Sequence, residues 1–275
     1  MAFSVNTNGG AFLALQNLNK TSSSLETTQG RINTGLKVGS SKDNAAIFSI
    51  AQKLRGNVAG LNAVKGSLDR ALSTLDVAIS AGEAVSDLLI EMKEKAVAAK
   101  DPGLDADSRT SLNDDFAQLR DQITSIVNNA EFNGTNAVKS GGDSISAITD
   151  ETGTSDNQIT VAAQDLSLTG LGLASDTSIS AAADASSAVD LIESAIDTVN
   201  TALSTLGAGS KRLELQKDFT TKLSDAIEVG IGNLVDADLA KESANLQALQ
   251  VKQQLGLQAL SIANQAPSTV LGLFQ

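Results

Sequence analysis

Residues 54–92 read LRGNVAGLNAVKGSLDRALSTLDVAISAGEAVSDLLIEM, and their apolar positions return every seven residues. Leu54, Leu61, Leu68, Leu75 and Leu89 fall in one row, interrupted by Gly82 where a leucine is due, and Val64, Ala71, Ala78, Val85 and Met92 form the partner row. Two apolar positions in a repeat of seven describe a helix that lays one seam against other helices. The pattern predicts one helix from Asp43 to Lys100, roughly 85 Å long at about 1.5 Å per residue. Asp101-Pro102-Gly103 ends it, because proline cannot continue a helix and glycine readily leaves helical dihedrals.

Working outward, a second helix follows, capped by Asp105 or Ser108, with Leu112, Phe116, Leu119, Ile123, Ile126 and Ala130 on one face, and it packs back on the first. From Glu131 the texture changes to EFNGTNAVKSGGDSISAITDETGTSDNQITV, with an Asn-Gly turn and short alternating segments at Ile159 and Val161, then Leu166 and Leu168. A small hairpin-rich, surface-exposed region is expected there. Helical periodicity returns at Ala185 and runs through Val189, Ile192, Ile196, Val199, Leu203 and Leu206 to Leu213, Phe219, Leu223 and Ile227, with Gly207 and Gly209 weakening its middle enough to permit a kink. The expected core of this helical rod is Leu54, Leu61, Leu68, Leu75, Leu89, Leu112, Phe116, Ile123, Ile192, Ile196, Val199 and Leu203.

The two ends read differently. From Ala11 onward, Leu18, Leu25 and Ile32 hold one heptad position, while Leu15, Ser22, Gln29 and Leu36 hold its partner, so this helix has one adhesive seam. The last forty residues carry two stripes: Leu239, Leu246, Leu249, Leu257 and Leu260, then Ala244, Ala248, Val251, Leu255 and Ile262. A helix apolar on most of its circumference must be buried, and no remaining part of the chain is large enough to bury this one. Pairing the two terminal helices leaves one stripe uncovered, so the ends are expected to acquire structure only against further copies or a partner.

Composition narrows the chemistry. Of 275 residues, 41% are hydrophobic but 3% aromatic, and there is no Trp, Tyr, His or Cys. Imidazole catalysis, thiolate chemistry, zinc ribbons and disulfides are therefore excluded. A net charge of −12 makes nucleic acid and anionic membrane poor partners. No run reaches the roughly 18 apolar residues of a membrane span, and the N-terminus lacks the features of a cleaved signal peptide. We expect neither an enzyme nor a cofactor or metal site.

Two small motifs invite ligand readings. The loop GLKVGSSKD holds Gly35 and Gly39 with three residues between them and follows a helix, whereas a phosphate loop needs four, then Lys-Ser/Thr, after a strand. A connector is expected instead, with Ser41 or Asp43 capping the next helix. The acidic clusters at Asp101 and Asp236 suggest calcium, but an EF-hand counted from Asp105 puts Thr110 and Phe116 where Gly and Glu belong. Helix-start charge accounts for both.

Residues 22–55, SSSLETTQGRINTGLKVGSSKDNAAIFSIAQKLR, closely resemble the N-terminal signature of bacterial flagellin, with Asp43-Asn44-Ala45-Ala46 at the helix start. Residues 235–275 are similar to the family's closing signature, including Asp236-Ala237-Asp238, Gln253-Gln254 and Ala263-Asn264-Gln265. The resemblance covers roughly 1–139 and 185–275 and is that of a short-form, alphaproteobacterial-like flagellin. It implies a mainly α fold: a rod-like antiparallel helical bundle with long coiled-coil helices from both termini and a small β-hairpin region in the middle. The expected divisions are an inner-tube helix at 1–34, a spoke linker at 35–43, rod helices at 44–131, a variable surface region at 132–184, a C-terminal rod helix at 185–232 and a second inner-tube helix at 233–275.

The implied function is the self-assembling structural subunit of the flagellar filament, for swimming motility, located outside the cell. Implied partners are other flagellin copies, the type III export apparatus with a chaperone on the C-terminal helix, and the cap and hook-junction proteins. The alternative is a hook-filament junction protein, which shares the terminal helices. Inner-tube packing then falls to Leu15, Leu18, Leu25, Ile32, Leu239, Leu246, Leu249, Leu255, Leu260 and Ile262, and the spoke hinge and cap to Gly35, Gly39, Ser41 and Asp43. The family's receptor-binding segment aligns with residues 90–96, where Glu91 replaces a usual arginine and Lys95 a usual leucine around Met92 and Lys93. That implies weak activation of the innate flagellin receptor. Ser and Thr residues from Ser140 to Ser187 are candidates for O-glycosylation on the same grounds.

Overall fold

The computed structural model describes residues 7–152 and 157–271, with side chains as far as Gln265. The first six and last four residues of the expected terminal segments, and Thr154 and Ser155 of the variable region, lie outside the described residues. The elements are α1 (Gly9–Thr34), α2 (Ala45–Ala99), α3 (Ala106–Asn129), β1 (Ile145–Ile148), β2 (Gln158–Val161), α4 (Ala182–Val235) and α5 (Leu239–Leu271). The chain forms two compact units, one of Asn57–Asp225 and one made from both ends, Met1–Gly56 with Ala226–Gln275.

In the unit Asn57–Asp225, α2 and α4 lie antiparallel, with Lys93 Nζ 2.8 Å from Glu193 Oε1 and Lys217 Nζ 2.6 Å from Asp69 Oδ1. The α3 helix returns beside α2, where Lys95 Nζ is 3.1 Å from Asp115 Oδ2. The seam between them is aliphatic: Leu61, Leu68, Leu75, Leu89, Met92, Phe116, Ile123, Ile192 and Val199 are all buried, and Leu112, Ile196 and Leu203 pack against them half-buried. Gly82 explains the missing leucine of the heptad row. A Cβ there would stand 2.8 Å from Leu203 Cδ2, so the glycine is the hollow that receives Leu203 of α4. Leu54 departs from expectation: it is half-buried and belongs to the unit of the chain ends, one turn before the shared seam begins.

Of the two candidate caps for α3, Asp105 is the one used. Its carboxylate accepts the Ser108 backbone N–H at 2.8 Å and the Ser108 hydroxyl at 2.7 Å, and these two bonds hold its pKa below the ordinary aspartate value. The turn before it is closed by Arg109, whose guanidinium donates to the carbonyls of Ala99 at 3.0 Å and Asp101 at 2.9 Å, satisfying groups that the end of α2 leaves open.

Among the described residues the variable region holds one two-stranded hairpin and an isolated antiparallel bridge between Phe132 and Thr135. β1 and β2 are antiparallel with Ile145 opposite Val161, and Ile145, Ala147, Ile159 and Val161 face the core. The Asn-Gly turn forms as read, Asn133 and Gly134 both taking positive φ (50° and 82°). Leu166 and Leu168, expected to alternate in a strand, lie instead in a turn-rich segment, because the amides of Gln164 and Leu166 bond to the carbonyls of Ala137 and Val138 and leave no strand partner. The hub is Asn136, fully buried: its amide donates to Val127 O at 2.8 Å and its carbonyl accepts the N–H groups of Val138 and Lys139, each at 3.0 Å.

The hydrogen-bonded helix α4 runs unbroken through Gly207 and Gly209. Gly209 has a packing role, since a Cβ there would meet Val161 Cγ2 at 2.7 Å, while Gly207 faces open space. The two glycines should therefore respond oppositely. Gly207→Ala is expected to stabilise the chain by about 0.5–1 kcal/mol through helix propensity. Gly209→Ala is expected to destabilise it by about 1–3 kcal/mol, since Val161 is too stiff to move aside, and to cost less in a Val161→Ala background. Chemical denaturation followed by circular dichroism checks the two signs.

Candidate functional site

The unit made from the chain ends is built on an antiparallel pair, α1 and α5. The less exposed positions of α1 are Ala11, Ala14, Leu18, Thr21, Leu25, Thr28 and Ile32, and those of α5 are Glu242, Leu246, Leu249, Gln253, Gly256, Leu260 and Ala263. Both sets alternate steps of three and four, which is the seam of a two-stranded coiled coil. Gly256 gives Leu18 its hole, with Leu18 Cδ1 only 3.3 Å from where a Cβ would stand. The register is pinned at both extremities. At one, Arg31 Nη1 lies 3.1 Å from Glu242 Oε1; at the other, Asn8 caps α1 by accepting the Ala11 N–H and donates its amide to Ala263 O at 2.6 Å.

The seam uses six of the ten residues expected to pack there: Leu18, Leu25, Ile32, Leu246, Leu249 and Leu260. The other four, Leu15, Leu239, Leu255 and Ile262, are exposed in the single chain, as are Phe12, Leu13, Val251 and Leu257. On a helical wheel Val251, Leu255 and Ile262 lie opposite the seam, and Ile262 is 70% exposed. α5 therefore presents two apolar faces, of which α1 covers one.

The connectors are joined by backbone alone. Gly35 ends α1 in the left-handed conformation at φ 72°. Beyond it the N–H groups of Lys37 and Val38 both donate to Val235 O, at 2.7 and 3.1 Å, and Ala237 N–H donates to Gly35 O at 2.9 Å. Val38 and Val235 are buried beside this tie. The cap of α2 is Asn44, whose side chain accepts the Ile47 N–H at 3.1 Å, and neither Ser41 nor Asp43 takes that place. Asp43 instead accepts from Ser40 N at 2.9 Å, the Ser40 hydroxyl at 3.1 Å and Gly39 N at 3.1 Å, bonds that hold its pKa low and shape the loop after Gly39. The other acidic cluster likewise serves a helix start, with Asp238 accepting the Lys241 N–H at 3.1 Å.

In the segment 90–96 Met92 is wholly buried in the core. Lys93 and Lys95 are held by Glu193 and Asp115, and the Asp115 hydrogen bond raises the Lys95 pKa. Ile90, Glu91 and Glu94 remain outward. No helix among the described residues is long and apolar enough to cross a membrane.

Residues 5–140 match the model of the bacterial flagellin N-terminal helical region, and residues 189–274 match that of the C-terminal helical region. The chain belongs to the bacterial flagellin family. It is 48% identical over 272 residues to flagellin FljM of Caulobacter vibrioides, covering 99% of this chain and 98% of that one. It is also 35% identical over 281 residues to a flagellin of Brucella melitensis, covering 99% of each. Among solved structures, Bacillus cereus flagellin aligns over 56% of this chain and 88% of that one, at 22% identity and a TM-score of 0.50. A candidate flagellar hook-associated protein of Vibrio parahaemolyticus aligns over 70% and 100% at a TM-score of 0.59, but 14% identity makes that a likeness of fold alone. This flagellin is thus a structural subunit of the flagellar filament of the alphaproteobacterial type, and the hook-junction alternative has no better support.

Sequence reasoning missed Glu242 and Arg31, although Glu242 stands seven residues before Leu249 and so occupies a seam position. Glu242→Lys would set two cations against each other across the seam. It is expected to raise the concentration this flagellin needs for polymerisation by about tenfold, and adding Arg31→Glu should restore it to within about threefold. Sedimentation of polymer at graded protein concentrations checks both.

Proposed function

We propose that this flagellin assembles by using its neighbours as the missing part of its own fold. The observation that carries this reading is the second apolar face of α5, Val251, Leu255 and Ile262, directly opposite the face that α1 covers. In the filament, copies of α1 and α5 would close on one another into an inner tube, taking in Leu15, Leu239, Leu255 and Ile262, which stay exposed in one chain. Gly35 and Gly39 would serve as the hinge through which a subunit adapts to its lattice position, in a shaft that it shares with related flagellins. The work is mechanical, with no catalytic step and no cofactor.

The same conditional ends suit passage through the flagellar export apparatus as an unfolded chain, a chaperone covering α5 beforehand and the cap and hook-junction proteins receiving the subunit outside the cell. The hook-junction reading separates by a simple property: a filament subunit elongates filaments unaided. The segment 90–96 offers an acidic surface of Glu91 and Glu94, with Met92 withdrawn and both lysines already paired, which supports weak activation of the innate flagellin receptor.

Hydrogen exchange tests the assembly reading directly. Amides of 9–34 and 239–271 are expected to exchange within seconds in dilute chain and to be protected in filaments, while α2 beyond Asn57 is protected in both. Protected ends in the dilute chain would overturn it. In a reporter-cell assay the chain is expected to give a weak response, and a potent one would overturn the receptor reading.

A further inference from the structure

The dipeptide Asn-Gly occurs twice in the chain, at Asn8-Gly9 and at Asn133-Gly134. An asparagine in this setting loses its side-chain amide readily, because glycine carries no Cβ to hinder its own peptide nitrogen from reaching the amide carbon beside it. The fold restrains the two copies in different ways. At Asn133 the backbone is clamped: Phe132 and Thr135 exchange two bonds of 3.0 Å across the turn, inside the unit that closes its apolar seam within one chain. At Asn8 the restraint is on the side chain. Its Oδ1 accepts the Ala11 N–H at 3.0 Å, and its Nδ2 donates to Ala263 O at 2.6 Å. Gly9 is the first residue of α1, so its peptide N–H has no partner within the helix.

We propose that Asn8 is a site of spontaneous deamidation in the unassembled subunit, and that the product no longer ties α1 to α5. This rests on the filament reading, in which the chain ends are protected only among copies. Water is the one co-reactant. The Gly9 nitrogen gives up its proton and attacks Asn8 Cγ; the new N–C bond closes a cyclic imide, the Cγ–Nδ2 bond breaks, and Nδ2 leaves as ammonia. Water then opens the imide at either carbonyl, giving aspartate or isoaspartate at position 8 with no change of oxidation state. Ring closure requires the amide to turn toward Gly9 and to release its nitrogen, so the bonds to Ala11 and Ala263 must both be broken first. With α1 docked on α5 they hold; with the ends open nothing holds the amide. The aspartate product still caps α1, since a carboxylate accepts the Ala11 N–H and suits the positive end of a helix. It has no donor for Ala263 O, and two acceptors then face each other where a short bond stood. Isoaspartate carries the chain through an extra carbon and displaces the cap as well. A subunit that waits outside the filament thus loses the pin at one extremity of its seam.

The test keeps purified full-length chain dilute at mildly alkaline pH and follows both amides by peptide mapping and mass spectrometry. Asn8 is expected to lose its amide about tenfold faster than Asn133 in dilute chain, and about tenfold more slowly in filaments than in dilute chain. Gly9→Ala puts its Cβ in open space and is expected to slow the loss at Asn8 by about tenfold while the chain polymerises as the parent does. Equal rates at the two asparagines, equal rates at Asn8 in chain and filament, or a Gly9→Ala chain that loses the amide as fast as the parent would each overturn the modification site. Asn8→Asp makes the aspartate product directly and keeps the cap, so its cost reads the lost donor. It is expected to need about tenfold more protein to polymerise than the parent, and polymerisation at the parental concentration would overturn the loss of the tie. Fresh parent that fails to elongate filament seeds would overturn the filament reading, and this is told apart from failure of the modification because the ratio of amide loss in dilute chain is measured without polymer.

Discussion

A helix that is apolar on two opposite faces needs two partners, and a chain with only one to offer leaves the second requirement to other molecules. That is the position of α5. Its seam of Leu246, Leu249 and Leu260 meets α1, and its far side of Val251, Leu255 and Ile262 is exposed among the described residues. The seam itself is modest, since Thr21, Thr28, Gln253 and Gly256 occupy positions that a self-sufficient coiled coil would fill with leucine or isoleucine. In the filament proposed above, other copies would supply the rest of the stability of this part of the molecule.

The unit Asn57–Asp225 is of the other kind. Its seam is filled by large aliphatic residues from three helices, its hairpin is docked by Val161 against Gly209, and its one deeply buried amide, Asn136, has its donor and acceptor groups satisfied. A buried polar group so completely paired fixes one arrangement of the loops around it. This body closes its apolar seam within one chain, whereas α5 keeps a second apolar face exposed.

The helices were legible because each buries a single face, and burial of a single face writes a period into the sequence. Leu61, Leu68, Leu75 and Leu89 announce α2, and the two stripes of α5 announce its need of a second partner. What escaped depends on positions that sequence spacing does not encode. Gly209 reads as a weak point in a helix, and only the approach of Val161, some fifty residues earlier, shows it to be a docking surface. Gly82 reads as a gap in a row until Leu203 is seen to fill it. Asn44 took the cap expected of Ser41 or Asp43 because Asp43 was drawn into bonds with Gly39 and Ser40, a competition among neighbouring polar groups that residue type alone does not settle. Leu166 and Leu168 alternate as a strand would, but the amides around them had already found carbonyls at Ala137 and Val138.

The tie between the connectors has a consequence for how freely this part of the molecule can change over time. Its three hydrogen bonds join peptide groups of Gly35, Lys37, Val38, Val235 and Ala237, so no side chain forms any of them. A joint of that kind takes nothing from side-chain hydrogen bonding, loses a bond to an imino acid at a donor, 37, 38 or 237, and needs Gly35 to keep its left-handed backbone. Mutational drift at exposed Lys37 would be wide in chemistry, and narrow in two respects, the exclusion of proline at the donors and the retention of glycine at 35.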